Sequence, residues 1–518
     1  MSAGPAKHRK TASSFIDERR LLPDERFILT LYLKHGRGLR RRRGSAEDLA
    51  ELMKRVSREQ LEVERRQEFK GPIAQVSRFA KRNGMAIIDA DALRCRVKLS
   101  VAVADAERVF ATELRQMQHG ERLYHFPILP PRLPPALAEI VQAVLGLDAR
   151  PSIRKLRNMA GPGGNTGLFP SAMARLYGME TGGRGAGQCI AIVEPSGGYD
   201  PNDLAAACRA MNLPVPQIVD INVGSGHNAF GANLDADKEV SLDIQVVAGV
   251  SPEARIAVYF TENSESGLAD GITEALHDRN NRPSVIVITW GEPEILWPDA
   301  ARNAMDTALA DGIRLGITVV AAAGDDLATE RMGDGRAHVD YPASSPYVLG
   351  CGGTLITLDG AGSVIADEVV WNDGSRGTGG GISDIYPVPA YQKSVTLPPS
   401  INDGRRRRGV PDVAAAAAET SGYHIVLGGS DIVTGGTSAV APLWGAFIAL
   451  INERRGRSVG FVNPLLYQNP TLLRPVISGN NKPIGTNIGY NAGPEWSGCT
   501  GLGTPRGADI ARAFAVIA

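Results

Sequence analysis

Residues 188–195 read QCIAIVEP and residues 255–260 read RIAVYF; between them lie DPNDLAAACRAMN (200–212) and DADKEVSLDIQVVAGV (235–250). The two outer runs are short, apolar and bounded by Gly, Pro or charged residues, which is how strands buried on both faces read. The two inner segments read as crossover helices. The same kind of run recurs in SVIVITWG (284–291), GITVVAAAGD (316–325) and YVLGCGGT (347–354). The pattern from about residue 165 onward therefore predicts an α/β domain on a buried parallel sheet. Functional residues of such sheets gather at the carboxyl ends of the strands.

Upstream the character differs. RFILTLYLK (26–34), MAIIDA (85–90) and RCRVKLSVAVA (94–104) read as strands. SREQLEVERRQEF (57–69), GPIAQVSRFAKRNG (71–84) and AERVFATELRQM (106–117) read as helices, the second closed by its glycine. This is an α+β domain. HFPILPPRLPPALAEIVQAVLG (125–146) is Pro-rich and then helical, and ARPSIRKLRNMAGPGGNTGLFP (149–170) reads as an exposed, cleavable linker. The expected organisation is a disordered 1–21, a compact 22–150, a linker 151–170 and the α/β domain 171–518. With 518 residues, two domains agree with the size limit on a single core.

Composition excludes several classes. Lys+Arg and Asp+Glu are both 56, so net charge gives no reason to expect nucleic acid or an anionic membrane. The basic runs Arg40–Arg43 and Arg405–Arg408 lack interleaved aromatics and read as solvated loops. The five cysteines (Cys95, Cys189, Cys208, Cys351, Cys499) contain no CxxC pair and suggest neither a disulfide framework nor a zinc site; Cys189 reads as core. The first residues, MSAGPAKHRKTASSF, have no apolar stretch behind the basic ones, unlike a Sec signal peptide. No run reaches the ~18 apolar residues of a membrane span.

The sharpest chemical motif is Gly435-Gly436-Thr437-Ser438-Ala439-Val440-Ala441-Pro442, ahead of the apolar helix APLWGAFIALI. Glycines allow a tight turn and a close backbone approach, and a serine at a helix start lies beside free N–H groups suited to an oxyanion. The plain alternative is an N-cap serine. A nucleophilic serine needs a base. Of eight histidines, His227, in GSGHNAF, is the one candidate for that base, and a loop role is the simpler reading of it. Glu239 and Asp243 stand four apart in KEVSLDIQVVAGV and share a face if the segment is helical. Taken alone, the simpler reading is an exposed first-turn pair; on a buried helix the two would have to share a proton. Asp325, Trp290 and Glu194 each follow a buried run.

In this order, these motifs resemble the sedolisin (serine-carboxyl) peptidase family, particularly its kumamolisin-like members, from about residue 22 to the end. The resemblance implies a subtilisin-like catalytic domain preceded by an α+β, ferredoxin-like activation prodomain that acts as an intramolecular inhibitor. It implies Ser438 as nucleophile, Glu239 as base, Asp243 as its support and Asp325 in the oxyanion hole, with Glu194 and Trp290 extending the network. RGVPDVAA (408–415) and CTGLGTP (499–505) are further family-like stretches. It implies a self-processing, acid-active endopeptidase of protein or peptide substrates, extracellular and monomeric, with no nucleic-acid or membrane partner. The family's calcium site is matched by RPVISGNN and AGPEWSGCTG, where Pro475 and Ser497 replace two aspartates and Glu495 replaces a glycine. Calcium wants anionic oxygens, so the expectation is a protein that folds without it, Asn480 and Asn481 being the neutral donors left.

Overall fold

The computed structural model describes residues 16–36, 44–119, 122–151, 154–155 and 167–515. The expected disorder of residues 1–15, the Arg40–Arg43 run and most of the 151–170 linker lie outside the described residues. The chain forms two compact units: residues 1–34, 69–91 and 95–151, and residues 35–68, 92–94 and 152–518.

The first part of the chain runs β1 (Ile16–Arg20), β2 (Arg26–Leu33), α1 (Ala46–Leu52), α2 (Arg58–Arg82), β3 (Ala86–Asp91), β4 (Arg96–Ala102), α3 (Val103–Phe110), β5 (Leu114–His119), β6 (Arg122–Pro127), α4 (Pro135–Ala138) and β7 (Val141–Leu145). An antiparallel sheet of order β3-β4-β2-β7, visited as β2–α2–β3–β4–α3–β7, is the ferredoxin-like split βαβ arrangement. Period-two alternation buries Val97, Leu99 and Val101 of β4 completely. Helix α1 and the first half of α2 group with the larger unit.

Four local expectations are corrected. Residues 16–20, expected to be disordered, form β1, paired with β5. The helix expected over 106–117 ends at Phe110, because Ala111 turns left-handed (φ 49°) and Leu114–His119 goes on as a strand. VQAVL, expected as helix, is β7, with Val141, Ala143 and Leu145 buried in strict alternation. The two helical pieces around Gly71 are one helix that runs through Pro72.

The larger unit continues β8 (Arg154–Lys155), α5 (Pro170–Leu176), β9 (Cys189–Glu194), α6 (Pro201–Ala210), β10 (Ile218–Asn222), α7 (Leu234–Val250), β11 (Arg255–Phe260), α8 (Glu265–His277), β12 (Val285–Ile288), β13 (Trp290–Pro293), α9 (Asp299–Arg314), β14 (Thr318–Ala322), β15 (Asp340–Tyr341), β16 (Leu349–Leu358), β17 (Ile365–Val370), β18 (Gly381–Ile382), β19 (Gly409–Val410), β20 (Val413–Ala416), β21 (Tyr423–Leu427), β22 (Ser430–Thr434) and α10 (Thr437–Arg455). Its sheet has the order β10-β11-β9-β12-β14-β16, with β20 adding in parallel to β16 and β17 antiparallel to it. β9, β12 and β14 are buried along their whole length, as a sheet covered on both faces requires. Helix α10 is buried from Thr437 to Asn452 and packs against α7, β12 and β14; a helix apolar all round belongs inside.

The basic run at 405–408 is corrected in part. Arg405 is exposed, but Arg408 is fully buried and clasps Asp412 with two 2.7 Å hydrogen bonds. Asp412 also accepts from the Gly350 N–H and the Tyr467 hydroxyl. This buried pair ties the RGVPDVAA stretch to β16.

Candidate active site

Strand ends supply four acidic or polar side chains at the carboxyl end of the sheet. Glu194 closes β9, Thr289 and Trp290 follow β12, and Asp325 follows β14. Helix α7 brings Glu239 and Asp243 to the same region, one turn apart on a helix buried from Ala236 to Val250. The exposed-pair reading of these two acids fails because the whole helix is inside. α10 begins at Thr437, which puts Ser438 in its first turn, not at the N-cap; the cap is Gly436.

Both glycines of the serine motif have a physical reason. A Cβ on Gly435 would lie 2.1 Å from the Ala417 carbonyl oxygen. Gly436 has φ 112° and donates its N–H to the same oxygen at 2.7 Å; that backbone is natural only for glycine. The turn delivers Thr437 to Asp325, whose Oδ1 accepts from the Thr437 N–H and from its hydroxyl, each at 2.8 Å. The start of α10 is thereby pinned to the end of β14. Asp325 Oδ2, buried as well, has no hydrogen-bond partner among the described residues.

The other acids form a chain. Trp290 Nε1 donates to Glu194 Oε2 at 2.7 Å, and Thr289 Oγ1 donates to Asp243 Oδ2 at 2.8 Å. The Glu194 and Asp243 carboxyls also hydrogen-bond to each other, which requires a proton between them. Burial, then the charge of Glu239, holds Glu194 well above the usual carboxylate range. Burial, then the charges of Glu194 and Glu239, does the same to Asp243. Asp325 is raised chiefly by burial, against the Thr437 hydrogen bonds, with Glu239 adding to it. The Glu239 charge thus acts on all three of the other acids. Ser438, Glu239, Asp243, Asp325 and Glu194 are each at most 2 % exposed.

All six residues singled out from the sequence lie in this unit. His227 is apart from them: it is an exposed loop residue whose Nδ1 faces the Ser225 carbonyl. Thr289 and Thr437 were missed; each sits beside a residue that was singled out, but a lone threonine carries no signal. Glu330 and Asp340, buried acids beside the Gly324 turn, were missed too.

The stretches matching the family's calcium site do not suit that ion. Ser497 Oγ pairs with Thr500 Oγ1 at 3.1 Å, and Ser497 and Gly501 exchange both backbone hydrogen bonds. Asn481 Oδ1 accepts from the Tyr490 N–H while its Nδ2 donates to the Gly380 carbonyl, and Asn480 Oδ1 accepts from the Lys482 N–H. The Ser497, Asn480 and Asn481 side-chain oxygens are neutral and engaged, and the one carboxylate of these stretches, Glu495, is exposed. Among the described residues no group of three or more His, Cys, Asp or Glu side chains is placed to hold a metal ion.

Comparison with known proteins agrees with this architecture. Residues 52–150 match the pro-kumamolisin activation domain, and residues 223–464 match the subtilase family. The chain is 41% identical over 457 residues to kumamolisin of Bacillus sp. (strain MN-32), covering 85% of this chain and 82% of that protein. It is 28% identical over 466 residues to sedolisin of Pseudomonas sp. (strain 101), covering 84% and 77%. A solved structure of Pseudomonas sedolisin, a serine-carboxyl proteinase complexed with pseudo-iodotyrostatin, superposes with TM-score 0.61 at 27% identity, covering 68% of this chain and 98% of that one.

Proposed function

Since the chain belongs to the sedolisin (serine-carboxyl) peptidase family and is a serine-type endopeptidase made as a zymogen, we propose that Ser438 is its nucleophile and the buried acid cluster its proton machinery. Glu239 takes the Ser438 hydroxyl proton as Oγ attacks a peptide carbonyl, and Asp243 behind it stabilises the new acid through the proton shared with Glu194. Asp325, protonated, donates from Oδ2 to the oxyanion. Glu239 then protonates the leaving amine, the C–N bond breaks, and water, deprotonated by Glu239, hydrolyses the acyl-enzyme.

The observation that carries this reading is Asp325. Its Oδ1 is held by two donors from the residue preceding Ser438, and its Oδ2 has no hydrogen-bond partner among the described residues. A protonated carboxyl so fixed can donate only from Oδ2. That requirement, with a cluster that must hold protons yet free Glu239 as a base, favours an acidic working range.

The linker is the first substrate in this reading. In support, the backbone of Arg154–Lys155 runs antiparallel along Trp290–Gly291, with Lys155 opposite Trp290, as an extended substrate adds to a strand edge. Cleavage within 151–170 would separate the activation domain. The mature enzyme acts outside the cell, as a monomer, on proteins or peptides and without calcium. No helix among the described residues is long and apolar enough to cross a membrane. The test moves full-length protein from pH 7 to about pH 4 beside Glu239→Ala and Ser438→Ala, with mass spectrometry and an unstructured protein substrate. Wild type should shed its N-terminal part and digest the substrate while both variants do neither. Shedding by pure Ser438→Ala protein would overturn self-processing.

A further inference from the structure

We propose that Thr289 is a positioning residue of the reaction, its hydroxyl aiming the Asp243 carboxyl so that Oδ1 faces Glu194. The proposal rests on the role given above to Asp243. Thr289 is fully buried directly after β12. A hydroxyl has one proton to give, and at 2.8 Å it goes to Asp243 Oδ2. That oxygen is therefore an acceptor, and the proton of the Glu194–Asp243 pair is confined to Oδ1 and Glu194 Oε1. On the far side the Trp290 indole makes Glu194 Oε2 an acceptor in the same way. Two neutral donors, on consecutive residues, thus bracket the two carboxyls and leave one place for the proton. Threonine suits the task because its branched Cβ restricts χ1.

The Thr289 donor favours the ionised form of Asp243, so its loss makes the cluster harder to deprotonate. In full-length protein, Thr289→Val should move the acid limb of the kcat/KM profile up by about one pH unit. Thr289→Ser should superimpose on wild type, and Thr289→Cys, a weaker donor, should fall between. The cysteine variant decides the matter if the valine variant does not fold. A Thr289→Cys or Thr289→Val profile that matches wild type, or a serine variant displaced as far as the valine one, would overturn the proposal. An inactive wild type would overturn the catalytic reading beneath it as well.

A separate cluster, remote in sequence from these acids, carries a second inference. Arg65, on the part of α2 that matches the activation domain, donates to Asp311 Oδ1 on α9, and both side chains are almost fully buried. A histidine stands on either side of this pair. His277 Nε2 is 3.7 Å from Asp311 Oδ2. His35 Nδ1 is 2.6 Å from Arg65 Nη1 and 3.1 Å from Glu68 Oε1. We infer that Arg65–Asp311 is an acid-released latch between the activation segment and α9, opened by protonation of His277.

The stereochemistry is specific. Protonated His277 competes with Arg65 for Asp311. Burial, against the pull of Asp311 and with Arg94, Arg65 and Arg58 nearby, lowers His277 to about 4. Arg94 is itself paired with Glu274. A histidine lowered in the latched state binds its proton more readily once the arginines of residues 58–94 leave. Latching is therefore weakened as pH falls from the ordinary histidine value near 6.5 toward 4. Glu68, though raised by burial, is brought down to about 2 by His35, the Gly36 N–H and Arg65, so it stays ionised over that range and keeps its hold on Arg65.

Amide hydrogen exchange of residues 58–68 in full-length Ser438→Ala protein reads the latch without any cleavage. Protection should fall between pH 7 and pH 5 after correction for intrinsic exchange. His277→Asn in the same background should keep its protection about one pH unit lower, and Asp311→Asn should lack it already at pH 7. Protection that does not change with pH, or is lost at the same pH with and without His277, would overturn the latch whatever the fate of the catalytic reading.

Discussion

Glu194 and Asp243 meet carboxyl to carboxyl in a fully buried site, each held on its other oxygen by a neutral donor, Trp290 Nε1 at 2.7 Å and Thr289 Oγ1 at 2.8 Å. Two anions in that position would repel in a medium that hardly screens them, whereas one proton between them makes a strong hydrogen bond. The pair is thus a proton store directly behind Glu239.

Both carboxyls lie above their unfolded values. Their contribution to stability is therefore complete below the ordinary carboxylate pKa near 4 and is lost as pH rises through the folded-state values. In full-length Ser438→Ala protein, adding Asp243→Asn should become progressively more favourable relative to its parent between pH 4 and pH 7, measured by urea unfolding. A difference that does not vary with pH would exclude the shared proton.

Asp325→Ala removes the oxyanion donor and should lower kcat by about 10²–10³-fold with little change in KM. Asp325→Asn keeps an acceptor for Thr437 and a donor that does not titrate. Its kcat should persist above the pH at which wild type declines. Profiles of kcat from pH 3 to pH 8 separate the two variants.

Arg408→Met should destabilise the protein by about 3–5 kcal/mol, because Asp412 is left as a buried, uncompensated charge. Arg408→Met/Asp412→Asn should recover part of the loss. Urea unfolding at pH 7 measures both, and a loss below about 1 kcal/mol would mean the buried pair is dispensable.

A calcium chelator should leave the melting temperature unchanged, since the oxygens around Ser497 and Asn481 are occupied by protein donors. Pro475→Asp/Ser497→Asp restores two carboxylates to that region, and its melting temperature should rise when calcium is added.

Much of the catalytic half was legible because its signals are local and agree with one another. Buried strands announce themselves by unbroken apolar runs such as Ile190–Val193, and the acids that close them stand out for that reason. The GGTS turn was legible because Gly435 and Gly436 meet a steric demand that no other residue fulfils. The N-terminal half was less so. TELRQM has helix-compatible composition, and what ends α3 is a left-handed Ala111, a backbone event that composition does not record. VQAVL has one polar residue in five, so the alternation is in its burial and not in its composition, and the prolines before it read as a helix start. Arg408 looked solvated because its three arginine neighbours mostly are; its partner lies four residues on, and whether such a pair is buried depends on β16 and Tyr467, far away in sequence. Thr289 was invisible for a related reason: a threonine ending a buried strand is ordinary until an acid from another helix meets it.

Ser438 activated by a carboxylate is most directly tested by rapid acid quench of the enzyme during turnover of an ester substrate at pH 4, with mass spectrometry of the Ser438 peptide. A carboxylate-activated serine predicts an acyl adduct on Ser438 in wild type, reduced by about 10²-fold or more in Glu239→Gln. An adduct on another residue, or equal acylation of Ser438 in wild type and Glu239→Gln, would contradict it.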